Sequence, residues 1–394
     1  MTVFARDREA FHSEIARISR EVAAQHADDV DRRARFPEEA VDALRAAGAM
    51  SAWVPAGLGG GGFELADIAR ACVTLARGCS ATAMVFAMHQ LQVATIVRHL
   101  TPEGWLAGYL GRLVEEQRLI ASVTSELGTG GDMARSIAAL EPGGEGRLRF
   151  EKQAPTISYG AYCDDLLTTT RRGPRALASD QVLVLHARRQ TEMKPIGVWD
   201  TLGMRGTCSP GATIRAEVSA DQVLEGSFGT MMAETIVPLS HILWAHLWLG
   251  IATEAFERGR AFVRAAARRA PGEPQPAARH LSEVLLELRL VRAEVASALE
   301  DFARWDAGAG PGERTALTGM AATLRFNALK LVVSERVPRI CNDVLSAVGL
   351  MAYKNDSPHS VGRLLRDALS GQVMVTNERL HGLNASLLAI TKEV

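Results

Sequence analysis

Over residues 1–118 apolar side chains recur at helical spacing. In FHSEIARISREVAAQHADDVDRRA they alternate with charges on a 3.6-residue period, which predicts an amphipathic helix. FPEEAVDALRAAGAM predicts a second helix, with Pro37 at its start and Gly48 near its end. After the glycine-rich turn PAGLGGGGFE comes LADIARACVTLARGCSATAMVFAMHQLQVATIVRHL, long and apolar on most sides, which predicts one buried helix. The texture changes at residue 119. RLIASVTSE, GRLRFEKQ, DDLLTTTRR, DQVLVLHAR and ATIRAEVSADQVL are short, β-branched and separated by Gly, Pro and Asp, so residues 119–228 read as a β domain. Helical periodicity returns over residues 229–394, in segments broken at APGEPQPAA and DAGAGPGE, and its last segment runs from SVGRLLRDA to LLAI.

Helices, then strands, then helices describes an α+β multidomain chain. It has an N-terminal helical domain (1–118), a central β domain (119–228) and a C-terminal helical domain (229–394). The order excludes the β-α-β alternation of a Rossmann fold. GTGGDM lacks the last glycine of a dinucleotide fingerprint, and GLGGGG lacks the Lys-Ser/Thr of a phosphate loop.

Composition narrows this further. With 394 residues, 47% of them hydrophobic, there is material for a large core, and a net charge of -1 gives no basic surplus for nucleic acid. The charged start MTVFARDREAFHSEI is unlike a signal peptide. The most apolar stretch, IVPLSHILWAHLWLGIA, is short for a membrane span and carries Ser240, His241 and His246, so it reads as a buried helix. These features point to a cytoplasmic protein with no membrane or nucleic-acid partner. Cys72, Cys79, Cys163, Cys208 and Cys341 are scattered without a CxxC pair, so no metal site or disulfide framework is indicated.

Four segments, in order, resemble the signatures of the acyl-CoA dehydrogenase superfamily. SVTSELGTGGD (122–132) resembles its TEPxAGSD stretch, KQAPTISYGAYCDD (152–165) its KxWITNGxxAD strand, and WDTLGMRGTCSPGATI (199–214) its LGxRG(S/T) segment. VGRLLRDA (361–368) resembles its VERxxRDA helix. The resemblance implies a flavin, FAD by family habit, with FMN or no flavin as the alternatives. It also implies that the β domain is a barrel or sandwich, that the C-terminal helices form a four-helix bundle, and that the protein is a homodimer or homotetramer. Ser125 and Ser158 match hydroxyls that contact the flavin ring, Thr156 stands where the family has Trp, and Gly131 matches a residue at the pyrophosphate. Arg205 lies in the loop beneath the flavin. Arg269 and Gly349 match parts of the face that receives a neighbouring subunit's cofactor, although Asp343, Ser346 and Ala347 replace the Gln and glycines expected there.

Dehydrogenation of an acyl thioester needs a carboxylate to remove the α-proton. Counting from RDA, the family glutamate falls on Val375, and the alternative base position falls near Ser240. Substitute bases within reach in sequence are Glu378, Asn377, His89, His241 and His246. Three functions follow. The first is a flavin oxidoreductase acting on acyl-CoA or an acyl-carrier protein, in a specialised pathway, with an electron-transfer partner. The second is a monooxygenase of the same superfamily, using O2 and flavin reduced by a partner reductase, with His89 or His381 as proton donor. The third is a non-redox descendant that uses the old thioester pocket for cyclisation, elimination or binding.

Overall fold

The computed structural model describes residues 7–101, 104–273, 275–307 and 314–391. The N-terminal part begins with α1 (Arg8–Ile18), capped by Asp7, whose carboxylate accepts the Glu9 and Ala10 N–H groups at 3.0 Å. A π-helical turn (Ser19–Ala23) joins it to α2 (Ala24–Arg33). Next comes α3 (Glu38–Ala46), between Pro37 and Gly48. The single long helix predicted after the glycine turn is two, α4 (Leu65–Gly78) and α5 (Ser80–Arg98), with Cys79 extended between them. The cause is a close approach. A Cβ on Gly78 would sit 2.3 Å from the Ser19 carbonyl oxygen, and Ser19 Oγ donates to Thr74 O at 2.6 Å. The π turn thus docks where the long helix breaks. Helix α6 (Trp105–Glu116), within the stretch read as helical but not singled out as a segment in the sequence, completes this part.

The strands form two sheets. β1 (Ile120–Val123), β4 (Asp165–Arg171) and β5 (Gln181–Ala187) make one, with β1 parallel to β4 and β4 antiparallel to β5. β2 (Glu141–Pro142), β3 (Leu148–Ala154), β7 (Gly211–Val218) and β6 (Thr191–Ile196) make the other, antiparallel throughout. β3 and β7 alternate buried and exposed residues, while β4 and β5 are buried almost end to end. The sheets meet where the Phe150 ring lies edge-on to His186, 5.3 Å away. β6, absent from the sequence reading, is an exposed edge strand that tolerates Pro195.

The C-terminal helices begin with α7 (Phe228–Met231), a π turn (Met232–Ile236) and α8 (Val237–Arg269). Every residue of α8 from Pro238 to Ala252 is buried. α9 (Pro276–Asp306), α10 (Thr315–Thr318), α11 (Met320–Val348) and α12 (Leu350–Tyr353) follow. Two helical stretches, Ser80–Arg98 and Phe228–Arg269, are long and apolar enough to cross a membrane, but 89% of each apolar window is buried inside the protein. α8 and α11 run side by side in the same direction. His241 meets the Phe326 carbonyl near one end, and Gly259 packs on Val344 towards the other. The last predicted helix is also two, α13 (Gly362–Val373) and α14 (Asn377–Leu388), separated by an elbow at Met374–Thr376. Val375 there has φ 48°. The left-handed region disfavours any Cβ and a β-branched one most, so the helix ends at this point.

Candidate active site

The loop after β1 is rigid where it starts. Glu126, buried, accepts hydrogen bonds from Ser136 Oγ (2.7 Å) and the N–H groups of Ile137 (3.1 Å) and Ala138 (2.7 Å). Buried Lys152 of β3 lies 3.6 Å from that carboxylate and donates to Thr169 O (2.9 Å) and Thr169 Oγ1 (2.6 Å). Burial pushes the Lys152 ammonium down to about 8, against the pull of Glu126. This pair fixes Ser125, whose hydroxyl donates to Thr156 O at 3.1 Å and lies 3.4 Å from Thr156 Oγ1. Ser125, Thr156 and Ser158 are all at least partly exposed, so two strand ends present a row of short hydroxyls at one edge. Beyond Ser125 the chain turns through Gly128, Gly130 and Gly131, all with positive φ, and a Cβ on Gly130 would meet nothing within 4 Å. Backbone amides can approach a bound group closely there.

That glycine loop touches the elbow. Arg379, in the first turn of α14, donates through Nη1 to the Gly131 carbonyl and through Nη2 to Asp132 Oδ1 at 2.8 Å. That contact ties the first turn of α14, which also carries Asn377 and the exposed Glu378, to the loop of Gly131, while Val375 packs partly buried against the core. On the other side of the elbow, Lys330 of α11 is fully buried. Its ammonium donates to the Val375 carbonyl at 2.8 Å and to Asn377 Oδ1 at 2.5 Å. Asn377 also accepts from Ser334 Oγ (3.2 Å) and donates to Glu335 Oε1 (3.4 Å), which lies 3.3 Å from His381 Nε2. Burial lowers the Lys330 pKa to about 8, with Glu335 opposing. A left-handed Val costs roughly 1–3 kcal/mol, and the hydrogen bond to its carbonyl helps to hold it. Three more non-glycine residues with positive φ, Tyr159, Met204 and Cys208, lie in the loops that follow Ser158 and flank Arg205.

The histidine candidates take structural places instead. His89 is completely buried; Ile120 N–H donates to its Nδ1 at 3.1 Å, so Nε2 carries the proton and donates to Met50 O at 2.8 Å. Both ring nitrogens are committed. His241 Nδ1 donates to Phe326 O (3.0 Å) and His246 Nδ1 to Ile242 O (2.8 Å). Burial brings all three down to about 4, so they are neutral rings held by hydrogen bonds to the backbone. Ser240 turns its hydroxyl back to Val237 O at 2.9 Å. Arg205 is likewise occupied with backbone, donating to Asp31 O (2.9 Å) and Thr201 O (2.6 Å) and pairing with Asp200 at 2.8 Å. Its loop docks on α13, where Met204 N–H donates to Asp367 Oδ1 at 2.7 Å and a Cβ on Gly203 would overlap Arg366 O.

Arg269 and Gly349 end α8 and α11, at the same end of the bundle and away from the His241–Phe326 end. Arg269 is exposed, and a Cβ on Gly349 (φ 67°) would meet nothing within 4 Å. Two residues of the elbow region were missed in sequence. Lys330 had a signal, as a lone lysine on the apolar face of LRFNALKLVVSE; Arg379 had none. A separate groove bordered by Trp105, Arg112, Arg147 and Arg189 lies at the far end of the three-stranded sheet and shares no residue with this site.

The residues fit a flavin in part. The hydroxyl row suits the polar edge of the ring, and the open glycine loop suits a phosphate. The family carboxylate has no counterpart at Val375 or Ser240.

Comparison with known proteins gives the same lineage. The family model "Acyl-CoA dehydrogenase, N-terminal domain" matches residues 5–117, and "Acyl-CoA dehydrogenase, C-terminal domain" matches residues 228–375. The chain is 30% identical over 375 residues to L-evernosamine nitrososynthase of a Micromonospora strain, covering 91% of this chain and 84% of that protein. It is 26% identical over 353 residues to a probable FMNH2-dependent monooxygenase of Pseudomonas putida, covering 85% of each. Among solved structures, KijD3 in complex with FMN and a dTDP-linked amino keto sugar superposes with TM-score 0.81 at 24% identity, covering 98% of this chain and 94% of that one. FMN-bound TdsC from Paenibacillus sp. superposes with TM-score 0.79 at 20% identity, covering 97% and 96%. The chain belongs to the acyl-CoA dehydrogenase family, within a branch whose relatives are flavin-dependent nitrososynthases and monooxygenases.

Proposed function

We propose that this chain is a flavin-dependent monooxygenase that oxidises the amino nitrogen of a nucleotide-linked amino sugar, with FMN reduced by a partner reductase. The observation that carries this reading is Val375. A thioester dehydrogenase of this family needs a base here or at the alternative position near Ser240, and neither residue is one, whereas an amine attacks oxygen with its own lone pair and needs no proton removed from carbon. A carboxylate would hold the amine as its ammonium; an aliphatic side chain near the buried Lys330 cation favours the neutral, nucleophilic form. When bound, the reduced flavin would supply the electrons that activate O2.

The chain's own residues do the rest. Ser125, Thr156 and Ser158 would orient the ring through its polar edge. Gly128, Gly130 and Gly131 would receive the phosphate on backbone N–H groups, with Arg379 bracing the loop. The relatives support both substrate and cofactor. The 30%-identical protein is a nitrososynthase, and KijD3 holds FMN with a dTDP-linked amino sugar. An acyl-CoA or acyl-carrier substrate has no such support.

The test supplies FMN, NADH, a flavin reductase and isotope-labelled O2 with dTDP-amino sugars, and follows product mass. Labelled oxygen on nitrogen is the expected outcome. Anaerobic bleaching of bound flavin by an acyl-CoA, without amine oxidation, would overturn the reading.

A further inference from the structure

We propose that Lys330 is a positioning residue that couples the C-terminal bundle to the glycine loop of the site. In its functional meaning this rests on the flavin reading above. The coupling is a chain of contacts. Lys330 holds the Val375 carbonyl and Asn377 Oδ1, which fixes where α14 starts and how it is turned. The first turn of α14 carries Arg379, and Arg379 holds Gly131 O and Asp132. The loop has glycines at three positions; within it Thr129 Oγ1 donates to Glu126 O (3.0 Å) and Asp132 N–H to Thr129 O (3.1 Å), Gln181 donates to Met133 O (3.1 Å), and Arg379 ties it to the C-terminal bundle. Its base is fixed by Glu126, but the Arg379 contact lies beyond that anchor.

A lysine is suited to this task. Its ammonium offers three donors on a flexible stem, enough to reach a carbonyl and a side-chain amide oxygen at once. The elbow needs such an anchor because Val375 sits in a backbone region that its side chain resists. Loss of Lys330 would leave the Val375 carbonyl unpartnered in the interior and free α14 to rotate or fray. Arg379 would then lose its aim at the loop.

Hydrogen exchange on the full chain without flavin tests this directly. Lys330→Met is expected to speed exchange about tenfold or more in residues 377–380 and also in 127–133. Arg379→Gln should speed it in 127–133, and adding Lys330→Met should change that loop no further. Asn377→Ala, which cuts the same link while keeping the ammonium on Val375, should loosen the loop too and serves if Lys330→Met does not fold. Lys330→Arg should restore part of the protection. Fraying of 377–380 with the 127–133 loop unchanged, or effects of Lys330 and Arg379 that simply add, would overturn the proposal. FMN fluorescence quenching on the same variants supplies the functional arm, with affinity expected to fall with loop protection. Failure of the unmodified protein to bind FMN would sink the flavin reading, while the exchange pattern still decides the coupling.

Discussion

At the scale of residues, the chemistry turns on Val375 and the cation beneath it. Under the proposed function, Val375→Glu would set the family's acid beside the substrate amine. An ionised carboxylate within a few ångströms raises an amine pKa by roughly one unit or more. The pH–rate profile for amine oxidation should therefore move alkaline, with about tenfold lower turnover at neutral pH; an unchanged profile would place the amine elsewhere. His89 tests the opposite kind of residue. Both of its nitrogens bond to buried backbone, so His89→Ala should cost about 3 kcal/mol in a urea titration through lost volume and orphaned backbone groups. Sequence could name Val375, because RDA fixed its register. It could not show that His89 was a buried spacer, since a histidine on an apolar face reads alike in both roles. It was also silent on Arg379, whose partners lie more than two hundred positions earlier in the chain.

At the scale of elements, the breaks in helices matter more than the helices. Periodicity located every long helical segment, because burial of one face writes a 3.6-residue pattern. It missed the breaks at Cys79 and at Met374–Thr376. Each is set by tertiary contact: Ser19 pressing on Gly78, and Lys330 holding the Val375 carbonyl. The edge strand β6 was missed because it buries almost nothing. The loop after β1 yields a third prediction. Glu126→Ala removes the carboxylate that joins Lys152, Ser136 and two backbone N–H groups, and leaves a buried ammonium without its counter-charge. A loss of about 3–5 kcal/mol is expected, together with weaker FMN binding, since Ser125 adjoins the broken anchor. Calorimetry and FMN titration would check the two halves separately.

For the whole molecule, the buried imidazoles set its response to acid. Burial lowers His89, His99, His241 and His246 to about 4 and His186 to about 3. Unfolded, each would titrate near 6.5. Above that pH the rings are neutral in both states and cost nothing. As pH falls from about 6.5 towards 4, only the unfolded chain takes up the protons, so stability drops by up to about 1.4 kcal/mol per pH unit for each group. Urea midpoints measured from pH 7 to pH 4.5 should fall steeply, and a flat profile would show that these rings titrate in the fold. The fold tolerates such burial because each of these rings is hydrogen-bonded within it. The elbow adds a different kind of tolerance. At position 375 Lys330 grips the main-chain oxygen, which every amino acid possesses, and not the side chain. The course of the main chain at the elbow is thereby separated from the identity of the residue displayed on it. Under the proposed function, a lineage can exchange an acid for an aliphatic group at position 375, and so exchange one reaction for another, without redrawing the architecture that presents it.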